Sequence, residues 1–414
     1  MVPNGWEVKK LEELATKISD GIHSTPKYTD NSQIYFINGN NLKDGSIVIT
    51  EKTKEVCPVN ATQHRRDLSN RTILMSINGT IGNLAFYNNE NVVLGKSACY
   101  INVAKGVDVN YIYYMLNDSR TQAFYTSELT GSTIKNLSLK TIKSTKVLTP
   151  PLPEQQKIAK ILTTWDKAID TTERLIDNSK QQKKALMQQL LTGKKRLLDD
   201  KGKRLEGEWD EHQLKEVAEI IVSPVDKKIV EGEIPVELCN YTDVYYNIRI
   251  TKSLDFMKAT AKQSEIDRFT LQVDDVIITK DSETPEDIAV PALVSEDLNG
   301  VVCGYHLAII RPNQDKVRGA FLNYLFATPK IGYYFFSLAN GATRFGLTIG
   351  SIEKAQFKLP SLAEQQKIAA VLTNADKEIE LLEQQLADLQ QEKKALMQVL
   401  LTGKKRVVVD GEIM

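Results

Sequence analysis

A few short stretches have residue types and spacing that could do chemistry. Gly95-Lys96-Ser97 looks like the end of a phosphate-binding loop, in which backbone amides and a lysine cradle phosphate oxygens. The full pattern needs a glycine five residues earlier, where Glu90 stands, and the surroundings read as strand rather than strand–loop–helix. Asn-Gly-Thr-Ile-Gly at 78–82 could offer backbone amides to a phosphate, but its first reading is a hairpin turn. Thr-Pro-Pro-Leu at 149–152 lacks both the polar residue and the aromatic of an amino-methylating signature, and Val-Asp-Lys-Lys at 225–228 lacks the Pro-Asp partner of a metal nuclease. The four cysteines and four histidines are dispersed, with no Cys-x-x-Cys pair, so neither a zinc site nor a disulfide framework is expected. No Ser/His/Asp or Cys/His set is legible. The residues give no positive evidence of catalysis, and no metal or cofactor of the chain's own is expected.

What the sequence does carry is a repeat. Lys-Lys-Ala-Leu-Met-Gln-Gln-Leu-Leu-Thr-Gly-Lys-Lys-Arg at 183–196 returns at 393–406 with one change, Gln189 becoming Val399. "PPLPEQQKIAKIL" (150–162) matches "PSLAEQQKIAAVL" (360–372), and "GSTIKNLSLKTI" (131–142) aligns with "GATRFGLTIGSI" (341–352). "GWEVKKLEELA" (5–15) resembles "EWDEHQLKEVA" (208–218). The chain is thus two units of about 200 residues. Solenoids need three or more copies to bury their faces, so two copies suggest closure about a pseudo-twofold axis.

Each repeat holds a long helix with a 3.5-residue apolar spacing, the seam of a coiled coil. In the first copy it selects Ile158, Leu162, Trp165, Ile169, Thr172, Ile176, Ser179, Lys183, Leu186 and Leu190. In the second it selects Ile368, Leu372, Ala375, Ile379, Leu382, Leu386, Leu389, Lys393, Leu396 and Leu400. Gly193 and Gly403 read as C-terminal caps, with the following Lys-Lys-Arg favourable to the helix dipole. Pro153 and Pro360 are expected to precede the starts. A simple antiparallel register sets Ile158 against Leu400, Trp165 near Lys393 and Ala375 near Lys183. The two lysines either fix the register or snorkel outward.

Between the helices, short apolar runs alternate with turn residues, as in "QIYFINGNNL", "RTILMSINGTIGNLAFYN" and "GVVCGYHLAIIRP", followed by a helical pattern in each unit. The expected fold class is α+β, with two α/β domains separated by two long antiparallel coiled-coil helices in a pseudo-twofold internal repeat. The expected boundaries are 1–150, helix 151–196, linker 197–207, 208–360, helix 361–406 and tail 407–414. The helices are near copies while the domains share little identity, which suits a molecule that reads two different things at a fixed separation.

Composition agrees with a globular protein: 42% hydrophobic and 26% charged, with no apolar run long enough to span a membrane and no apolar leader at the N-terminus. A cytoplasmic location is expected. Net charge is zero but uneven. Residues 1–150 hold 17 Lys+Arg against 13 Asp+Glu, whereas 208–360 hold 16 against 23. A basic footprint for nucleic acid therefore has to be local in the second half.

The repeated "PEQQKIA" and "KKALMQ.LLTGKKR" phrases, "GWEVKKLEELA" and "SETPEDIAVPA" (282–292) resemble the specificity subunit of Type I restriction–modification systems over the whole chain. The resemblance implies a non-catalytic DNA reader with two target recognition domains, each reading one half of a split, asymmetric double-stranded site. It implies two methyltransferase subunits docked on the scaffold, carrying S-adenosylmethionine and methylating adenine N6, and restriction–translocase subunits completing an endonuclease. The helices would then set the spacing between half-sites. Two other classes stay open: a reader serving a methyltransferase alone or one of another class, and a helical scaffold without DNA contact.

Polar loop residues that can reach phosphates and base edges are the candidate contacts. In the first domain these are His23, Ser24, Lys27, Tyr28, Asn38, Asn40, Asn78, Thr80, Thr133 and Lys135. In the second they are Tyr241, Thr242, Lys280, Ser282, Thr284, Thr343 and Arg344.

Overall fold

Two uninterrupted helices of 39 residues, Leu152–Leu190 and Leu362–Leu400, dominate the computed structural model, which describes residues 2–131, 135–198 and 201–409. Pro153 lies inside the first turn instead of before it, where a missing N–H costs nothing. Gly193 and Gly403 take left-handed backbone (φ +70° and +66°) just past the ends, as a helix-closing turn requires.

The chain divides into two units, Met1–Arg174 with Gln384–Met414, and Leu175–Glu383. Each unit owns the beginning of one long helix and the end of the other, running antiparallel. In the first unit Lys393 pairs with Asp166 and Arg406 with Glu154; in the second Lys183 pairs with Asp376 and Arg196 with Glu364. The lysines thus meet aspartates one residue along from the expected Trp165 and Ala375. They are turned inward and do not snorkel, with side chains only 18% and 17% exposed. None of the twenty positions chosen by the seam spacing is exposed, and Ile158, Leu162, Leu190, Ile368, Leu372 and Leu400 are fully or almost fully buried. By contrast Leu381, off the seam, is 72% exposed.

The two domains each build a sheet of the same strand order despite their sequence divergence. In the first unit the order is Ala15–Asp20, Ala98–Val103, Thr72–Ser76, Leu84–Phe86, with antiparallel neighbours. In the second the same order is Ala218–Val222, Leu307–Pro312, Val276–Thr279, Pro291–Val294, extended by a parallel edge strand, Arg249–Ile250. The repeated opening phrase forms an edge ribbon in each unit. Glu7–Lys10 pairs with Lys146–Thr149, and Asp210–Gln213 with Gln356–Leu359, just ahead of the long helices. The single helical pattern expected in each domain is two helices: Val109–Asn117 and Ser119–Ser127, then Gly319–Phe326 and Pro329–Leu338. The Asp118 side chain caps the new start in one, and Pro329 opens it in the other. One core runs from Leu11, Tyr111 and Leu137 to Ile158, Leu162 and Leu400; the other from Leu214, Phe321 and Ile352 to Leu190, Ile368 and Leu372.

Candidate nucleic-acid interface

The loops that could meet DNA are positioned by the repeated phrases, which hold each domain to its long helices. In the first unit the carboxylate of Glu154, 3% exposed, receives a two-pronged bond from Arg406 (2.6 and 2.8 Å) and the indole N–H of Trp6 (3.0 Å). In the second, Arg196 grips the fully buried Glu364 (2.6 Å on both prongs). The arginine of Gly-Lys-Lys-Arg therefore serves the start of the facing helix and not only the dipole of its own. A fork matched to a carboxylate, charge-assisted on both prongs, fixes orientation as well as distance. The next residue binds the domain: the Gln155 carbonyl oxygen accepts from the Asp108 amide and its amide donates to the Pro150 carbonyl, and Gln365 does the same with Arg318 and Pro360. About three turns further along each helix, the Tyr114 hydroxyl donates to Asp166 (2.5 Å) and the Tyr324 hydroxyl to Asp376 (2.6 Å). Burial and the Asp376 bond push the Tyr324 phenol up to about 12, so at neutral pH it remains a donor.

In the first domain the loops converge on the Gly95-Lys96-Ser97 turn. The Ile22 amide donates to the Leu94 carbonyl, the Gly95 amide to Ile37, and the Ile77 amide to Ser97. The Ser97 hydroxyl donates to the Asn38 side-chain carbonyl (2.9 Å) and accepts from the Gly39 amide (2.9 Å). A Cβ on Gly95 would collide with the Asn38 side chain, so the turn demands glycine. The turn is a loop hub and no phosphate loop. The 77–83 connection joins antiparallel strands, and Asn78 bridges Asn136 in the loop before the long helix.

Among the first domain's candidates, Asn78, Thr80 and Lys135 come together; Thr80 and Lys135 are exposed and Asn78 is half-buried, its carbonyl oxygen buried without a partner. Asn38 is occupied inside the hub, while Asn40 is exposed beside it. His23 binds Asp20 (2.8 Å), Lys27 and Ser24 are exposed, and Tyr28 packs edge-on against Phe36 with the Lys54 ammonium over its ring. Thr133 lies outside the described residues. Exposed Lys96, at the tip of the hub, is a residue the sequence reading missed; only its rejected motif drew attention to it.

The second domain builds the same hub from Gly304-Tyr305-His306. The Gly304 amide donates to the Cys239 carbonyl, and a Cβ on Gly304 would sit 2.6 Å from that oxygen. Here Asp281–Ser282 pairs with Phe345–Gly346 in the place of the Asn78–Asn136 bridge. His306 Nδ1 lies 3.0 Å from Asp281, and an Arg344 guanidinium nitrogen lies 3.2 Å from His306 Nε2. Burial pushes the Asp281 carboxyl up, but its Lys280 and His306 bonds outweigh this and hold it below the ordinary value. The Lys280 ammonium donates to both oxygens of Asp281 (2.7 Å each), so this candidate contact is engaged within the domain. Tyr241 stacks on Tyr245 and bonds Ser282 (3.2 Å); Ser282 is 7% exposed. The Thr284 hydroxyl donates to Asp287 (2.5 Å). Thr242, Thr343 and Arg344 are exposed. His306 and Tyr305 were missed, because an isolated histidine in a strand-like run carries no motif.

Among the described residues there is no cluster of His, Cys, Asp and Glu suited to a metal ion, and no helix long and apolar enough to cross a membrane. Two comparisons with solved structures agree with this architecture. The S subunit of a type I restriction–modification system from M. genitalium superposes with a TM-score of 0.58 at 16% identity, over 95% of this chain and 96% of that one. The HsdS subunit from Thermoanaerobacter tengcongensis gives 0.51 at 17%, over 98% of each. In sequence, a putative type I restriction enzyme MjaX specificity subunit from Methanocaldococcus jannaschii is 27% identical over 98% of this chain and 95% of its own length. The type I restriction enzyme MjaVIII specificity subunit of the same organism is 22% identical over 98% and 94%. The model of the type I restriction modification DNA specificity domain matches residues 3–180 and again 206–391, so the chain belongs to that family, with two copies of its domain.

Proposed function

We propose that this chain is the DNA-recognition subunit of a Type I restriction–modification complex, acting in the cytoplasm. It reads a bipartite, asymmetric double-stranded site and leaves catalysis to methyltransferase and restriction subunits. The carrying observation is the pairing of a scaffold whose Glu–Arg–Gln clamp is repeated with two hubs of the same topology and different side chains. Glu154/Arg406/Gln155 and Glu364/Arg196/Gln365 are equivalent, whereas Lys96-Ser97 is replaced by Tyr305-His306. That supports two readers of unlike sequence on a common frame. The candidate contacts are Lys96, Thr80 and Lys135 in one domain, with Arg344, Thr343 and Thr242 in the other. The remaining residues named above set those loops or lie on neighbouring ones. Exposed lysines supply phosphate attraction, which dominates affinity, and the hubs, with Arg344 in the second, supply base selectivity.

A groove of about 1260 Å³ in the second unit supports a docking role for the same scaffold. Lys180, Lys184, Lys330 and Ile379 line it together with Trp209, whose buried indole N–H has no acceptor. A methyltransferase subunit is the proposed occupant, and S-adenosylmethionine belongs to that subunit.

Long-read methylation mapping of cells with and without this gene tests the reading. The expected result is loss of N6-methyladenine at one bipartite motif in both strands. An unchanged methylome in cells that express the chain and its methyltransferase would sink it. One matched heptad added to both long helices keeps their seam in phase and adds roughly 10 Å at 1.5 Å per residue. Active variants should then methylate the same half-sites across a wider spacer.

A further inference from the structure

The two hubs differ at one backbone position. Ser97 and His306 occupy the same place, one residue before the paired strands Ala98–Val103 and Leu307–Pro312. Ser97 satisfies the Asn38 side chain. Its counterpart His306 takes left-handed backbone (φ +77°), and in this domain the side-chain carbonyl oxygen of buried Asn240 has no partner. A histidine in that region of backbone and an orphaned buried carbonyl both cost stability. Strain of this kind collects where function over-determines geometry.

What His306 turns toward is Arg344. Arginine has donors only, so His306 Nε2 must accept the Arg344 bond at 3.2 Å. The ring proton then sits on Nδ1 and donates to Asp281 at 3.0 Å. Arg344 also reaches the Tyr305 hydroxyl at 3.4 Å, and the Tyr305 and His306 rings lie 3.3 Å apart between centroids. The exposed guanidinium is thereby held in one place before any DNA arrives, removing part of the ordering cost of binding.

We propose that His306, oriented by Asp281, is a positioning residue that holds Arg344 for a specific contact with the DNA half-site read by the second domain. The inference rests on the DNA-reading function above and adds the residue through which Arg344 acts. The arrangement works only with a neutral ring, because protonated Nε2 has no lone pair to accept with. The charged groups facing the ring are Asp281, Lys280 and Arg344. Burial lowers its pKa, the Asp281 bond raises it, and the Arg344 and Lys280 charges lower it again, to a net value below 6.5. Arg344 is thus held at neutral pH and released as the pH falls below that range.

The test uses the full chain with its methyltransferase subunit and a duplex carrying the mapped site, beside a duplex with the second half-site scrambled. Binding is measured from pH 5 to 8 for wild type, Arg344→Ala, Arg344→Lys, His306→Asn and the double variant Arg344→Ala/His306→Asn. Asparagine tolerates the left-handed backbone. Arg344→Ala should weaken the mapped duplex about 5- to 150-fold, the range of one good base contact, and the scrambled duplex far less. Arg344→Lys should not restore it. His306→Asn should lose part of the same discrimination, and the double variant should match Arg344→Ala alone, since coupled residues are not additive. Wild-type discrimination should fall toward the Arg344→Ala value at the acid end. Additive losses, a His306→Asn variant indistinguishable from wild type, or an Arg344 effect constant across pH would each overturn the positioning role. If His306→Asn does not fold, the pH profiles of wild type and Arg344→Lys decide alone: parallel profiles overturn it. Should Arg344→Ala discriminate normally while the methylome motif stands, this inference falls and the DNA-reading function survives. Should the wild-type complex bind no duplex, that function fails first.

Discussion

The two helix-start clamps and the two loop hubs have diverged at very different rates. At the clamps a glutamate, an arginine and a glutamine keep the same bonds in both units. At the hubs the glycine stays and the two residues after it change, from Lys96-Ser97 to Tyr305-His306. The glycine is kept because backbone or side-chain atoms lie where a Cβ would go. Its neighbours differ because each hub satisfies them with its own partners: Ser97 bonds Asn38 and the Gly39 amide, whereas His306 bonds Asp281 and Arg344. A clamp that fixes a buried charge keeps its residues in both units, while a turn whose side chains bond only to their own loops can change them together with those partners. Even the clamps differ in one atom: the Trp6 indole reaches Glu154, whereas the Trp209 indole N–H is buried without an acceptor.

The largest expected effect breaks a clamp. Glu364→Ala leaves Arg196, 16% exposed, without its carboxylate, and should cost about 3–5 kcal/mol in denaturant unfolding of the full chain. Glu154→Ala should cost less on the arginine side, because Arg406 is 46% exposed. Next come the helix cores. Leu162→Ala and Leu372→Ala, both fully buried, should each cost about 2–5 kcal/mol and about the same as one another, with half-buried Leu386→Ala well below them. The seam lysines should then separate. Asp376 is 5% exposed and Asp166 is 38%. Lys183→Ala, which leaves the buried Asp376 carboxylate only the Tyr324 bond and Arg249 at 3.9 Å, should cost about 3 kcal/mol, and Lys393→Ala no more than about 1 kcal/mol. Equal losses would show that burial of the partner does not set the value of these pairs.

Trp6→Phe removes a bond to a charged acceptor and should cost about 2 kcal/mol. Trp209→Phe removes an unpaired N–H and should leave thermal stability unchanged or higher. Equal destabilisation of the two would mean that ring packing rather than the Glu154 bond matters. The smallest effect is on pH. The folded chain holds His306 below 6.5, so the unfolded chain takes up that proton first and stability falls as pH drops through 6.5. His306→Asn should remove that slope, read as the difference in unfolding midpoint between pH 7.5 and 5.5.

Legibility in the sequence followed the range of the interaction. The long helices and their seam could be read because a 3.5-residue spacing is local and survives without knowledge of any partner. The repeat and the antiparallel register set "PEQQK" near the "GKKR" of the other copy but did not show which side chains bond. They are some 40 residues apart in each copy, and it is the glutamate of one copy that bonds the arginine of the other. Candidate contact residues chosen by type included several that the fold uses internally. Asn38 serves Ser97, Lys280 serves Asp281 and Ser282 is buried. Residue type alone cannot tell a solvated polar side chain from one already satisfied.

The sequence by itself determined the doubling of the chain, the helical scaffold and the short-stranded domains, because each depends on local pattern or on self-comparison. The tertiary structure alone decided that the two dissimilar domains share one sheet order, since strand pairing is set by hydrogen bonds between distant backbone segments. It alone decided that Lys183 and Lys393 turn inward to aspartates, since a facing charge outweighs the exposure their length would otherwise allow. And it alone brought His306 between Asp281 and Arg344, three residues spread over 64 positions of chain, because only a closed turn with left-handed backbone can aim that ring at both.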